Sequence, residues 1–444
     1  MLSPMAGHTD VTPPHKLGSA MHMNTASHQT RRATSARRAA GALAIFATML
    51  VAAACGGGSS STPATPTTQT VSTAPSAVRP TAAAATAAIP PGPTPTVGPA
   101  GLIGQPSGVA VDAAGNVYFS TNATCLLRKL SQGVVTKVAG EPGGHVCGSS
   151  PDGPAASSKL NHPLGVAVAP NGDVYIADSI NCSVRKLSGD VVTTVAGAGA
   201  GQCVYNLDAG PALSVHIYPS AVAVDAQNNV FIADWANCRI RELSGGNITT
   251  VAGVGTGALA GCGSGGDAGP ATAAQLNKPF GVAVGAGGDL YISDTSDCKI
   301  RIVHNGTIHT FAGTGAGTPN CTASGDGGLA SVAAIGTPIG IAVGSDGAVY
   351  IADAGNCKVR RVGPDGVVTT VAGIAGTPSV ACGFAGDGGP ATSAKLGRLS
   401  GIALGADGSL YIADDENCRI REVVGGVINT IAGSDACDGP VVKR

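Results

Sequence analysis

Thirteen cysteines, a recurring aspartate and a recurring arginine are the side chains of this chain that could do chemistry. Cys125, Cys182, Cys238, Cys298, Cys357 and Cys418 form one regular series, and Cys147, Cys203, Cys262, Cys321, Cys382 and Cys437 form a second that trails it by 19–25 residues. Only Cys55 stands outside both. A thiol can bind metal, attack a substrate or cross-link. No Cys-x-x-Cys doublet occurs, so a zinc site is disfavoured and no metal site is assigned. Two matched series of six read as six disulfides, the habit of proteins outside the reducing cytosol. Asp178, Asp234, Asp294, Asp353 and Asp414 recur in the same way, with Thr121 in the first place of the series. Arg128, Arg185, Arg241, Arg301, Arg360 and Arg421 each follow a cysteine by three residues. So many copies of one role are too many for a catalytic pair, and Asp–Arg bracing of a hairpin is expected instead. Asp152, Asp208, Asp267, Asp326 and Asp387 open turns of the Asp-Gly-Gly-Pro-Ala kind, where the carboxylate is expected to bond backbone amides or cap a short helical turn. Alternate acids of a calcium loop are missing. Glycine runs such as 253–257 and 313–317 follow strands without opening a helix, so they do not make a phosphate cradle.

The elements that must position these residues come from a repeat. Gly108, Gly165, Ala221, Gly281, Gly340 and Gly401 open six copies of one pattern, in steps of 57, 56, 60, 59 and 61 residues. A period of this size means one supersecondary unit packed against its own copies. In the copy from Gly340, four β-rich runs are separated by Gly344-Ser-Asp-Gly347, Ala354-Gly-Asn356 and Gly363-Pro-Asp-Gly366. Four antiparallel strands, six times over, predict an all-β, six-bladed propeller with blades starting near residues 106, 163, 219, 279, 338 and 399. A straight β-solenoid would need capping ends, and none is visible. The first strand, Val-Ala-Val-like, suits the crowded axis. The third, with Arg and Lys, suits a more exposed place.

The run Tyr-Ile-Ala-Asp-x-x-Asn-Cys-Arg-Ile-Arg, followed by Thr-Thr-Val-Ala-Gly and by Gly-Asp-Gly-Gly-Pro-Ala-Thr-Ser-Ala, resembles the NHL repeat. It is similar to the long-loop form of bacterial NHL proteins and the teneurin NHL region, over about residues 106–440. The resemblance implies a six-bladed propeller. Cysteine stands here where family members often carry His in Asn-His-Arg-Ile-Arg. NHL-like propellers include amidating lyases and lactonase relatives with channel metals, but their motif cannot be carried onto this chain residue by residue.

On a propeller both cysteine series lie on one face. Each loop cysteine can pair within its own blade or with the next. Cys437 lies four residues past Gly433, and at about 3.3–3.6 Å per residue that tether favours its own Cys418. The residue before each strand-opening Pro or Leu varies: Gln105, His162, Tyr218, Lys278, Thr337 and Arg398. Such a ring of unlike side chains at the channel mouth is a candidate ligand site. Trp235, the sole Trp, falls in a loop on the same face and could anchor a partner. His162 and His216 could begin a metal site there.

Residues 1–54 read as a secretory leader, with Arg31-Arg32 and Arg37-Arg38 before an apolar stretch that is too short to span a bilayer. Met21 or Met23 would give an ordinary leader length. Ala52-Ala53-Ala54-Cys55-Gly56 resembles a bacterial lipobox with Cys55 lipidated. Residues 55–100 are a Gly/Ser/Thr/Pro/Ala tether that cannot bury a core, and residues 101–444 carry the propeller. Outer membrane or cell surface is the expected destination.

Net charge is −1 and only 12% of residues are charged, which disfavours nucleic acid as a partner. Aromatics at 3% are few for a carbohydrate-stacking surface. No catalytic residues and no cofactor are assigned. The expectation is a monomeric, lipid-anchored propeller that binds an envelope protein or small ligand. The alternative is a metal-dependent hydrolase or lyase that uses the channel mouth.

Overall fold

Short apolar runs broken by glycine turns give each repeat an antiparallel sheet. The computed structural model describes residues 101–141, 147–255, 262–315, 321, 324–374, 382–434 and 436–438. The leader, Cys55 and the tether lie outside the described residues. Six sheets occupy residues 106–139, 163–196, 219–252, 279–312, 338–372 and 399–433, here blades 1 to 6. In blade 3 the strands Pro219–Val224, Val230–Asp234, Arg239–Ser244 and Asn247–Ala252 pair in order, with Val222 opposite Ile232, Ile232 opposite Arg241 and Arg241 opposite Thr250. Blades 2, 3, 4 and 6 carry one strand more than the expected four. Gly153–Pro154, Ala209–Pro211, Gly269–Pro270 and Gly389–Pro390 arrive from the preceding inter-blade loops and extend the outer edges. In blade 5 the same place holds a single bridge from Leu329 to Val367.

The core lies between neighbouring blades. Tyr175, Ala177 and Val184 of blade 2 pack on Val222, Ile232 and Ile248 of blade 3, and this layer repeats around the ring. At the axis, first strands approach too closely for side chains. A Cβ on Gly165 would fall 2.5 Å from the Ala221 Cα, and one on Gly401 would fall 2.7 Å from the Ser107 carbonyl oxygen.

Third-strand arginines are not exposed, contrary to the expectation from their charge. Arg241, Arg301, Arg360 and Arg421 are 0% accessible. The reason is that each meets its second-strand carboxylate and three of the four also meet a loop carboxylate; Arg241 pairs with Asp234 and donates to the Asp208 backbone carbonyl, while Arg239 holds the Asp208 carboxylate. Arg301 pairs with Asp294 of its own blade at 3.3 Å and with Asp267 of the incoming loop at 2.8 Å. Arg360 does the same with Asp353 and Asp326, and Arg421 with Asp414 and Asp387. The loop aspartates therefore lock a loop onto a blade. They also accept from the fourth-strand threonines Thr194, Thr250, Thr310, Thr370 and Thr430. None caps the short 3-10 turns that follow.

Six disulfides close within their own blades: Cys125–Cys147, Cys182–Cys203, Cys238–Cys262, Cys298–Cys321, Cys357–Cys382 and Cys418–Cys437, with Cα atoms 5.0–5.7 Å apart. The first cysteine of every pair has a left-handed backbone, φ 51–57°. That conformation is uncommon for a residue with a Cβ. The ring closes in a loop rather than inside a blade. After Cys147, Cys262 and Cys382 the next residue donates to a buried leucine carbonyl, as Gly148 does to Leu160 at 3.0 Å. At the seam Asp438 donates to Ile103 at 3.0 Å, and its carboxylate meets Arg128 at 3.1 Å. The first and last described segments thus meet where one continuous loop runs in the other blades.

Candidate functional site

The aspartate ending each second strand builds the rim of the channel. Asp234 accepts the Tyr218 amide at 2.7 Å, Asp178 that of Asn161 at 2.7 Å, Asp294 that of Asn277 at 2.6 Å and Asp414 that of Gly397 at 2.8 Å. Each bond fixes the segment entering the first strand, and so fixes the variable residue before Pro or Leu. Asn181, Asn237, Asn356 and Asn417 also donate to these carboxylates. Burial pushes the carboxyls up, to about 6 for Asp178, Asp353 and Asp414. Asp294 rises further, to about 7, first by burial and then because Asp297 stands where blades 2, 3, 5 and 6 carry Asn.

Above the axis this scaffold leaves a cavity of about 380 Å³. His162, Tyr218, Lys278, Thr337 and Arg398 line it, together with Trp235. Gln105 does not. It is 2% exposed and buried in blade 1, where Thr121 replaces the anchoring Asp and turns its hydroxyl to Thr124 instead. His216 is also absent from the lining. Its Nδ1 sits 2.9 Å from the Val204 carbonyl, so the structure does not bring it together with His162 around a metal. Among the described residues no group of three or more His, Cys, Asp or Glu is gathered.

Several lining residues escaped the sequence reading. Leu164, Ser220, Phe280, Ile339 and Ser400 lie two positions past the variable ring residue, while Ser179, Thr295 and Asp415 directly follow the second-strand Asp. The available signal was that these positions, too, differ from copy to copy. Tyr218 and Trp235 stand with ring centroids 5.7 Å apart at 51°, and the Lys278 ammonium is 6.0 Å from the Trp235 ring centre. Below, at the level of the axial glycines, the channel narrows to a void of about 70 Å³ lined by all six first strands. A void of that size admits a few waters. The mouth is therefore a cup with a floor, mostly apolar and carrying the basic His162, Lys278 and Arg398, suited to holding a small molecule.

The pattern of the teneurin NHL domain matches residues 358–424, and that of the NHL repeat matches residues 160–187. Human Teneurin-1 is 28% identical over 295 residues, covering 62% of this chain; the aligned part is only 8% of that relative's length. Two solved structures from Bacteroides thetaiotaomicron share the fold. One, of unknown function, has TM-score 0.52 at 18% identity, covering 72% of this chain and 69% of that one. The other, an auxiliary nutrient binding protein, has TM-score 0.50 at 14% identity, covering 74% and 70%. Repeat pattern, ring and matches agree: the chain is a six-bladed β-propeller whose repeats are similar to the NHL repeat and to the teneurin NHL domain.

Proposed function

We propose that this protein is a binding module that holds a small ligand in the cup at the mouth of its propeller. The cup itself carries the reading: about 380 Å³, lined from five blades by residues that differ between repeats, over a floor the ligand cannot pass. Six disulfides belong to an oxidising compartment outside the cytosol. We extend this to a lipid anchor on Cys55 and a flexible tether that lifts the cup from an envelope membrane. Support comes from the basic-then-apolar leader and from Cys55 being the one cysteine outside the two series. Native mass spectrometry of the protein purified from its own envelope fraction tests the cup. A retained small molecule, lost from a variant carrying Trp235→Ala and Phe280→Ala, is expected. A screen of chemically diverse small molecules that yields no thermal stabilisation would sink the reading. Palmitate labelling that disappears in Cys55→Ser tests the anchor.

A further inference from the structure

Resting on the cup reading, the geometry points to a small aromatic acid as the ligand: one ring system bearing one negative charge. Size comes first. Small-molecule sites run from about 300 to 1,000 Å³, so a cavity of about 380 Å³ fits a compact molecule. The narrow void beneath it stops a polymer from threading the axis. Next is the wall. Tyr218 and Trp235, both from blade 3, form a tilted aromatic pair, and Phe280 continues that surface from blade 4. Flat aromatic faces favour a flat aromatic guest.

Charge gives the sign. Three basic side chains, His162, Lys278 and Arg398, line the cup against a single acid, Asp415. His162 and Lys278 come from blades 2 and 4, on either side of the blade that holds the aromatic pair. Lys278 makes no ion pair among the described residues, and its ammonium reaches only toward the Trp235 face. Both residues also have left-handed backbones, φ 50° for His162 and 54° for Lys278, which Tyr218, Thr337 and Arg398 at the equivalent positions lack. Non-glycine residues adopt that region at a cost, and such outliers gather where a side chain must be aimed. A guest ring lying against Trp235 and Tyr218 puts its carboxylate within reach of Lys278, where a charge-assisted hydrogen bond replaces water.

Calorimetric titration of the intact secreted protein with 2-naphthoate, 2-naphthamide and 2-naphthylmethylamine tests this. The three share a ring and differ in charge. The acid is expected to bind roughly tenfold tighter than the amide, and the amine weakest of all. Lys278→Met should erase the difference between acid and amide. Trp235→Ala should weaken both by a similar factor, in protein whose melting temperature shows it is folded. Equal binding of acid and amide, or tightest binding of the amine, overturns the inference. If none of the three binds while the diverse screen finds other ligands, the aromatic-acid assignment fails and the cup stands. If nothing binds in either experiment, both fall together.

Discussion

The belt of Asp–Arg–Asp clusters and the cup above the axis are made by the same repeats, yet they follow opposite rules. In the belt, every blade from 2 to 6 buries an arginine against its second-strand Asp, and in all but blade 3, where Asp208 pairs with Arg239, the same arginine also meets the loop Asp. In the cup, one position per blade reads His, Tyr, Lys, Thr and Arg. The two regions touch, because each second-strand Asp both receives the arginine and fixes the segment that carries the cup residue. Repetition thus supplies a rigid frame, and variation within it supplies the surface chemistry. Rigid elements hold a site more precisely than free loops do.

Mutation should separate the two regions sharply. Arg360→Ala strips the buried Asp353 and the loop Asp326 of their common partner, and uncompensated buried charge costs about 3–5 kcal/mol. Thr337→Ala, on the cup side of the same blade, should change stability by less than about 0.5 kcal/mol. Denaturant unfolding of the oxidised protein measures both. Similar costs would mean that the belt is not what holds the frame.

The disulfides sharpen the comparison between an ordinary blade and the seam. Replacing Cys238 and Cys262 by Ser should cost about 3 kcal/mol, since their 24-residue separation closes a loop of ordinary size. Cys418 and Cys437 are 19 residues apart, so loop entropy alone predicts a slightly smaller loss. At the seam, however, that bond also holds Asp438 against Ile103 and Arg128, and no peptide bond links the two sides there. The seam pair is therefore expected to cost more. A smaller loss at the seam than in blade 3 would show that Asp438 contributes little to closure.

Much of the frame was legible because the repeat states it six times. The Val-Ala-Val strands at the axis and the within-blade tether of Cys437 each led to the structure by steric or chain-length argument. The burial of the arginines was not legible. Arg185 looks exposed when only its own strand is read, because its second partner, Asp152, arrives from the loop of a different repeat. The cup was half legible. His162, Tyr218, Lys278, Thr337 and Arg398 stood out as unlike residues at a common position and Trp235 as the sole tryptophan, whereas Asp415 and Phe280 emerged only once packing fixed which flanking positions face the mouth. Gln105 misled because blade 1 lacks the anchoring Asp, a substitution whose consequence is local to that blade.

Blade 4 breaks the belt in a way that can be titrated. Asp297 replaces the usual Asn, so it cannot donate to Asp294, and the second carboxylate adds to burial in raising Asp294 to about 7. The folded state then binds a proton that the unfolded chain, with its ordinary aspartate near 4, has released. Stability from this group is full below about pH 4 and is lost as pH rises through 7. Asp297→Asn restores the donor and should bring Asp294 down toward the other blades. A gain of about 1 kcal/mol at pH 8, with little change at pH 5, is expected from unfolding curves at the two pH values. A gain of equal size at both pH values would instead point to packing.

The smallest expected effect bears on whether the cup is strained for use. Lys278 holds φ at 54° in blade 4, whereas Thr337 occupies the matching place in blade 5 with an ordinary backbone. Glycine removes the left-handed penalty of about 1–2 kcal/mol but returns freedom to the unfolded chain worth about 0.4–1 kcal/mol. Lys278→Gly should therefore gain on the order of 0.5 kcal/mol while abolishing the preference for acid over amide. Thr337→Gly has no such strain to relieve, and should lose about 0.5–1 kcal/mol and leave that preference intact. The opposite signs are the test: a frame selected for stability alone would have no reason to keep lysine at a position where glycine folds better, and a cup that needs the ammonium would.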